Sequence, residues 1–267
     1  MSVKYIFNDK NYPILIDQEG GKVSRINKIL DLSFFSQNFF SNLYKNNKKV
    51  FFNFYKIYIE KVCEILKKTG ININTVPVLD VLTSKTHKVI GTRSFSRDAT
   101  IVSMLGKLCI NYYHNNKIAT VIKHLPGHGG SKEDSHYKTP VVKSNRNALI
   151  KKDFKPFTQS KSLFGMTGHV IYNSYDYNNT ATHSKKIIKN IIRSKIKFKG
   201  ILISDDISMK SLKYKLEENA IRALNAGCNL VLHCNGKMNE MSRLVKVIPN
   251  IDNFTIKKTS QFYKFLR

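Results

Sequence analysis

Two adjacent carboxylates, Asp205 and Asp206, follow the apolar run Ile201-Leu202-Ile203 in the segment G-I-L-I-S-D-D-I-S-M that starts at Gly200. Burying a carboxylate is costly unless it is paired or used. Asp206 has a structural occupation open to it, capping the helix expected to follow with its side-chain oxygen. That leaves Asp205 as the reactive carboxylate. A second segment, K-H-L-P-G-H-G-G from Lys123, leaves another apolar run and enters a loop that continues through Ser131-Lys132-Glu133-Asp134-Ser135-His136. Asp134 and His136 are two apart, a spacing at which an Asp can orient or polarise an imidazole so that it works as a general acid/base near neutral pH. The loop's glycines, Gly127, Gly129 and Gly130, predict a segment able to open and close. His128 alone reads as an ordinary loop residue. A third segment, D-Q-E-G-G-K-V-S-R from Asp17, places a carboxylate able to accept hydroxyl hydrogen bonds beside a glycine turn.

These groups need a frame that brings them together. Six short apolar runs each end at a polar residue: Ile14 to Ile16 before Asp17, Ile73 to Leu79 before Asp80, Ala119 to Ile122 before Lys123, Leu163 to Met166 before Thr167, Ile201 to Ile203 before Ser204, and Leu230 to Leu232 before His233. Val3 to Phe7 and the segment after Lys246 are weaker strand candidates. Longer amphipathic stretches alternate with the runs: Val50 to Thr69, stopped by Gly70, then Asp98 to Asn116, Ser184 to Lys195 and Glu217 to Ala226. A βαβα alternation predicts a mostly parallel sheet with helices outside. Such sheets collect their chemistry at the C-terminal strand ends. Asp17, Asp80, Lys123, His124, His169 and Asp205 all fall at such ends. The 267 residues suit one α/β barrel of the TIM type, which typically needs about 250, and the whole chain, residues 1–267, reads as one catalytic barrel domain.

Composition removes other classes. Hydrophobic residues make up 42 %, as in a globular chain and not a disordered one. No secretory signal pattern opens the chain, and no apolar run approaches the roughly 18 residues of a membrane span, so a cytoplasmic protein with no membrane partner is expected. The four cysteines, Cys63, Cys109, Cys228 and Cys234, form no C-x-x-C pair and read as small buried reduced thiols. No cofactor and no metal is called for. Lys and Arg number 45 against 18 Asp and Glu, a net charge of +27. The basic residues are scattered and not interleaved with aromatics in one block, so attraction for polyanions is expected to be non-specific, with no dedicated nucleic-acid site.

In series, these segments resemble the β-N-acetylhexosaminidase branch of family 3 glycoside hydrolases, and most of all its bacterial cytoplasmic enzymes of peptidoglycan recycling. The matching motifs are D-Q-E-G-G at Asp17, P-V-L-D at Pro77, I-G-x-R-S-F at Ile90, K-H-x-P-G-H-G at Lys123, D-S-H at Asp134 and S-D-D at Ser204, across residues 13–233. The resemblance implies an eight-stranded barrel, here shortened at both ends. It implies Asp205 as the nucleophile that forms a covalent glycosyl-enzyme, and His136, supported by Asp134, as the acid/base in place of the usual second carboxylate. It implies that Asp17, Arg93, Lys123 and His124 hold the sugar, and that the substrates are N-acetylglucosamine-containing cell-wall fragments handled by a monomer. Lys22 stands where the family often has Arg, and Gly130 where it often has Asp. A histidine acid/base carries less negative charge than a carboxylate, so phosphate stays open as an acceptor beside water. A decayed sugar- or polyanion-binding protein on the same fold is the competing expectation.

Overall fold

Each of the six apolar runs forms a strand in the computed structural model, which describes residues 3–84, 86–131, 133 and 138–267. In chain order the strands are β1 (Leu15–Ile16), β2 (Ile73–Asn74), β3 (Ala119–Leu125), β4 (Val141–Val142), β5 (Phe164–Thr167), β6 (Ile171–Tyr172), β7 (Asp176–Thr180), β8 (Ile201–Asp206) and β9 (Leu230–Leu232). The six predicted runs make one curled sheet in the order β1-β2-β3-β5-β8-β9. All its neighbours are parallel. This is an α/β half-barrel: the sheet has the strand order of a barrel wall, and no hydrogen-bonded pairing joins β9 to β1 among the described residues. The remaining strands, β4, β6 and β7, form a small sheet of their own.

Helical structure stands at each of the four predicted amphipathic stretches, and further helices lie outside them. The helices are α1 (Val3–Ile6), α2 (Gln37–Asn46), α3 (Lys48–Lys68), α4 (Ala99–Asn115), α5 (Arg146–Lys151), α6 (Leu216–Ala226), α7 (Met238–Val247) and α8 (Asn253–Leu266), with a π-helical segment at Ile187–Lys195. Side-chain caps define several starts. Asp98 accepts from Thr100 N–H to begin α4, and Asp252 accepts from Thr255 N–H to begin α8. The two weaker strand candidates are helical instead. Val3 to Phe7 carries α1, and the region after Lys246 leads from the end of α7 into α8. Short apolar segments do not reveal their period, and here helical spacing wins.

Alternation along the strands sorts side chains onto two faces. Leu202, Ile122 and Leu125 face the helices and join a core with Ile59, Val62 and Leu66 of α3, Leu105 of α4, and Ile188 and Ile192. Ile201, Ile203, Val121, Phe164 and Met166 face the other way, into a second core. In a closed barrel, inward side chains from facing strands would fill that space. Here α8 covers it: Phe262 is buried there and meets Phe164 edge-on at 5.4 Å between ring centroids. Helix α8 thus packs against the inward face of the partial barrel.

Of the cysteines, Cys63, Cys109 and Cys228 are buried and free, as expected, whereas Cys234 is exposed. It follows β9 in a loop, so the apolar-core expectation fails for it.

Candidate active site

Asp205 shares a strand face with Ile201 and Ile203, so it leaves the second core at its upper rim. Lys123 stands in the same relation to Ala119 and Val121. His124, the next residue, would face the helices in a regular strand, but the register of β3 against β5 shifts between Ile122 and Leu125. Such an irregularity re-aims side chains, and Lys123 and His124 both line one cavity. That cavity, of about 440 Å³, also takes in Asp17, Glu19, Arg93, His128 and Asp205. Five of the seven sequence-predicted site residues therefore converge: Asp17, Arg93, Lys123, His124 and Asp205. The other two, Asp134 and His136, lie outside the described residues.

The cavity wall is a buried ion network. Glu19 is 5 % exposed and receives Arg93 as a fork, Nε at 2.7 Å and Nη2 at 2.8 Å. Lys123 Nζ reaches Glu19 at 2.6 Å, Asp17 at 2.9 Å and Thr75 Oγ1 at 2.7 Å. An ammonium has three protons to donate, so its hydrogen-bonding capacity is used within the protein. Burial alone would raise the carboxyl pKa of Glu19, but Lys123 and Arg93 outweigh it and hold it at about 2. Asp17 is likewise held below the usual carboxylate range, where burial is overcome by Lys123, Thr75 and Arg93. The loop that carries both acids is pinned by Asn74, which accepts from Gln18 N–H at 3.0 Å and donates to Gln18 O at 2.8 Å. Arg93 is placed by Gln37, whose amide nitrogen donates to the Arg93 carbonyl at 2.6 Å and to the Val78 carbonyl at 2.9 Å.

Asp80, fully buried, organises the two histidines of the K-H-x-P-G-H-G segment. Its carboxylate accepts from His128 N–H at 2.6 Å and lies 2.7 Å from His124 Nδ1. Against the cost of burial, His124 and His128 hold its pKa at about 2. His128 is buried as well, and neither ring nitrogen has a partner among the described residues. Burial lowers its pKa to about 4, so the ring is neutral at physiological pH. Read from sequence as an ordinary loop residue, His128 instead lines the cavity.

Two of the three glycines of this segment, Gly127 and Gly129, also meet a packing requirement. A Cβ on Gly129 would lie 1.9 Å from the Val81 carbonyl oxygen, and one on Gly127 2.9 Å from that of Asp153. These positions are packed against neighbouring backbone, so close approach accounts for glycine there.

Asp205 accepts from Asp206 N–H at 2.8 Å. Burial would raise its pKa, but His169, His124, the Asp206 N–H and Lys123 lower it below the ordinary value. It is therefore ionised at neutral pH. Asp206 is turned elsewhere. Its carboxylate accepts from Ser208 N–H at 3.0 Å, Ser208 Oγ at 2.7 Å and Cys234 N–H at 3.3 Å. It closes a turn and ties it to the loop after β9; it caps no helix, since the next one, α6, begins at Leu216.

Glu19, Asp80, His169, Gln37 and Asn74 were not singled out from sequence as site residues. Asp80 and His169 carried the signal of a titratable group at a strand end. Glu19 lay within the glycine-turn motif, but its burial depends on the distant residues Arg93 and Lys123. An ionised carboxylate beside a polar cavity, flanked by buried cations and imidazoles, can attack an electrophilic carbon and stabilise developing positive charge. The described residues contain no cluster of three or more His, Cys, Asp or Glu able to hold a metal ion.

Comparison with known proteins gives a consistent picture. The family model described as "Glycosyl hydrolase family 3 N terminal domain" matches residues 10–260. The chain is 32 % identical over 244 residues to a beta-hexosaminidase of Haemophilus influenzae, covering 89 % of this chain and 67 % of that protein. It is 36 % identical over 175 residues to one from Nitrosomonas eutropha, covering 64 % of this chain and 50 % of that protein. The chain thus spans about half to two thirds of the length of these relatives. Among solved structures, NagZ from Neisseria gonorrhoeae in complex with N-trifluoroacetyl-D-glucosamine is similar with a TM-score of 0.83 at 26 % identity, covering 94 % of this chain and 73 % of that one.

Proposed function

Because the chain belongs to glycosyl hydrolase family 3 across residues 10–260, we propose that it is a retaining β-N-acetylhexosaminidase with Asp205 as its nucleophile. The observation that carries this reading is the placement of Asp205: ionised, on the cavity-facing side of β8, beside a cavity walled by Asp17, Glu19, Arg93, Lys123 and His124. In the first step a carboxylate oxygen of Asp205 bonds to the anomeric carbon as the bond to the leaving oxygen breaks. His136, steadied by Asp134, gives that oxygen a proton. In the second step water attacks the same carbon and gives its proton to His136, and Asp205 leaves as carboxylate. The substrates are fragments ending in β-linked N-acetylglucosamine, of the cell-wall type. The relatives named as beta-hexosaminidases and the glucosamine derivative bound by the Neisseria protein support that choice. We place the reaction in the cytoplasm, with a monomer as catalyst and water as the acceptor.

Turnover of nitrophenyl N-acetylglucosaminide tests this reading, together with mass spectrometry after a fluoro-sugar probe that stalls the glycosyl-enzyme. The expected result is turnover and a label on Asp205, both lost in Asp205→Ala while the circular dichroism spectrum is kept. A label on Asp206 would overturn the assignment. Absence of turnover in a folded wild type would favour a sugar-binding protein.

A further inference from the structure

His169 lies just beyond the end of β5 and is wholly buried. Its Nε2 is 2.9 Å from the carbonyl oxygen of Asp206, and its Nδ1 is 2.7 Å from Thr182 Oγ1. A carbonyl oxygen only accepts, so Nε2 carries a hydrogen. Burial lowers the His169 pKa, which makes the ring neutral at physiological pH and leaves Nδ1 to accept the Thr182 hydroxyl proton. Thr182 Oγ1 in turn lies 2.9 Å from Thr167 Oγ1 at the end of β5. Thr182 Oγ1 has one proton and two acceptors, His169 Nδ1 at 2.7 Å and the Gly168 carbonyl at 3.3 Å; given to the nearer, it makes the donors run from Thr167 to Thr182 to His169 to the Asp206 carbonyl. Asp206 passes the constraint on, because its N–H donates to Asp205 Oδ1 at 2.8 Å.

We infer that His169 is a positioning residue for the reacting carboxylate: from the neighbouring strand it fixes residue 206, and residue 206 holds the Asp205 oxygen in the orientation for attack. Several facts support this over a plain core histidine. The bond joins the ends of two adjacent strands, β5 and β8, one residue from Asp205, which lines the cavity. It falls on the residue that follows the attacking group. Residue 206 is also held through its side chain by Ser208 and Cys234, so its carbonyl, carboxylate and N–H are all engaged. Only the tautomer with hydrogen on Nε2 completes the chain, and the Asp206 carbonyl selects it. A reacting group displaced by about 1 Å can cost about 10²-fold in rate, and such a loss falls on kcat.

The inference rests on Asp205 as nucleophile, and the experiment separates the two. His169→Gln and His169→Asn are of similar polarity but place their amide nitrogens differently. The Gln amide nitrogen can stand near the position of Nε2 and donate to Asp206; that of Asn stands near Nδ1 and cannot. The expected result is a Gln variant within a few fold of wild type and an Asn variant with kcat lowered about 10²-fold at a KM changed less than about threefold. Labelling of Asp205 by the fluoro-sugar probe should slow in parallel. Equal loss in both variants, or a loss confined to KM, would overturn the positioning role. So would a wild-type labelling rate in the Asn variant. If the wild type itself carries no label on Asp205, the nucleophile assignment fails and this inference falls with it.

Discussion

Glu19→Gln removes the negative centre of the cavity wall while keeping its shape. Glu19 is fully packed between Arg93, bound through two nitrogens, and Lys123. A Gln at this position keeps one acceptor oxygen and turns an NH2 toward a cation. A carboxyl held from 4.5 down to about 2 stabilises the folded state above its unfolded pKa by about 3 kcal/mol. Breaking a buried ion pair by removing one partner typically costs about 3–5 kcal/mol, which agrees. Lys123 keeps Asp17, so the lower end applies. The folded pKa is depressed, so this stability is present above about pH 4.5 and is lost as pH falls toward 2. Urea unfolding followed by circular dichroism should show the variant about 3 kcal/mol less stable at pH 7. The gap should close as the pH is lowered through 4 toward the folded-state value. A difference under about 1 kcal/mol at pH 7 would refute the argument, because exposed pairs already reach that size. A difference that does not change with pH would refute it as well.

Asp153 is buried with Oδ1 unpartnered, and burial raises its pKa to about 7 despite Lys152. A raised folded pKa means that its contribution is full below the unfolded value and is lost as pH rises through 7, so Asp153→Asn should be the more stable form at pH 8.5, by up to about 4 kcal/mol in a thermal or urea melt. An equal slope of stability against pH in both proteins would count against this. Gly129→Ala pushes a methyl group into the Val81 carbonyl, so the melting temperature should fall by several degrees, matching a cost of about 1–3 kcal/mol for overpacking. An unchanged melt would show that the loop is as loose as its glycine content suggests. His136→Ala should lose far more activity on a natural disaccharide than on a nitrophenyl sugar, because an activated leaving group needs little protonation; equal losses would pass the acid role to another residue. Polyanion binding by the +27 chain should fall steeply with salt, and a nucleic-acid complex that persists at high salt would contradict scattered charge.

Order and periodicity were legible in the residues themselves. All six strands of the main sheet and the helices α3, α4 and α6 announce themselves by apolar spacing, because a half-buried strand and an amphipathic helix write their periods into the chain. Asp205 was preferred to Asp206 from sequence because Asp206 was expected to cap a helix; Asp206 instead closes a turn with Ser208, and it is the fold that sets Asp205 at the cavity, since the register of β8 shifts between Ile203 and Asp206. What the sequence alone did not determine depends on residues far apart in the chain. Glu19 is a buried ion only because Arg93 and Lys123 come to it from other elements. Asp80 anchors two histidines more than forty residues away. His128 reads as a loop residue until Asp80 and the surrounding chain bury it. The packing at Gly127 and Gly129 shows only when Asp153 and Val81 are laid against them. Val3 to Phe7 and the stretch after Lys246 are too short or too mixed to show a period; α1 is a single exposed turn, whereas α8 is held by the burial of Phe262. Above all, α8 came to pack against the inner face of the partial barrel, a placement no local pattern contains, since apolar surface is buried by whichever element the whole fold brings within reach.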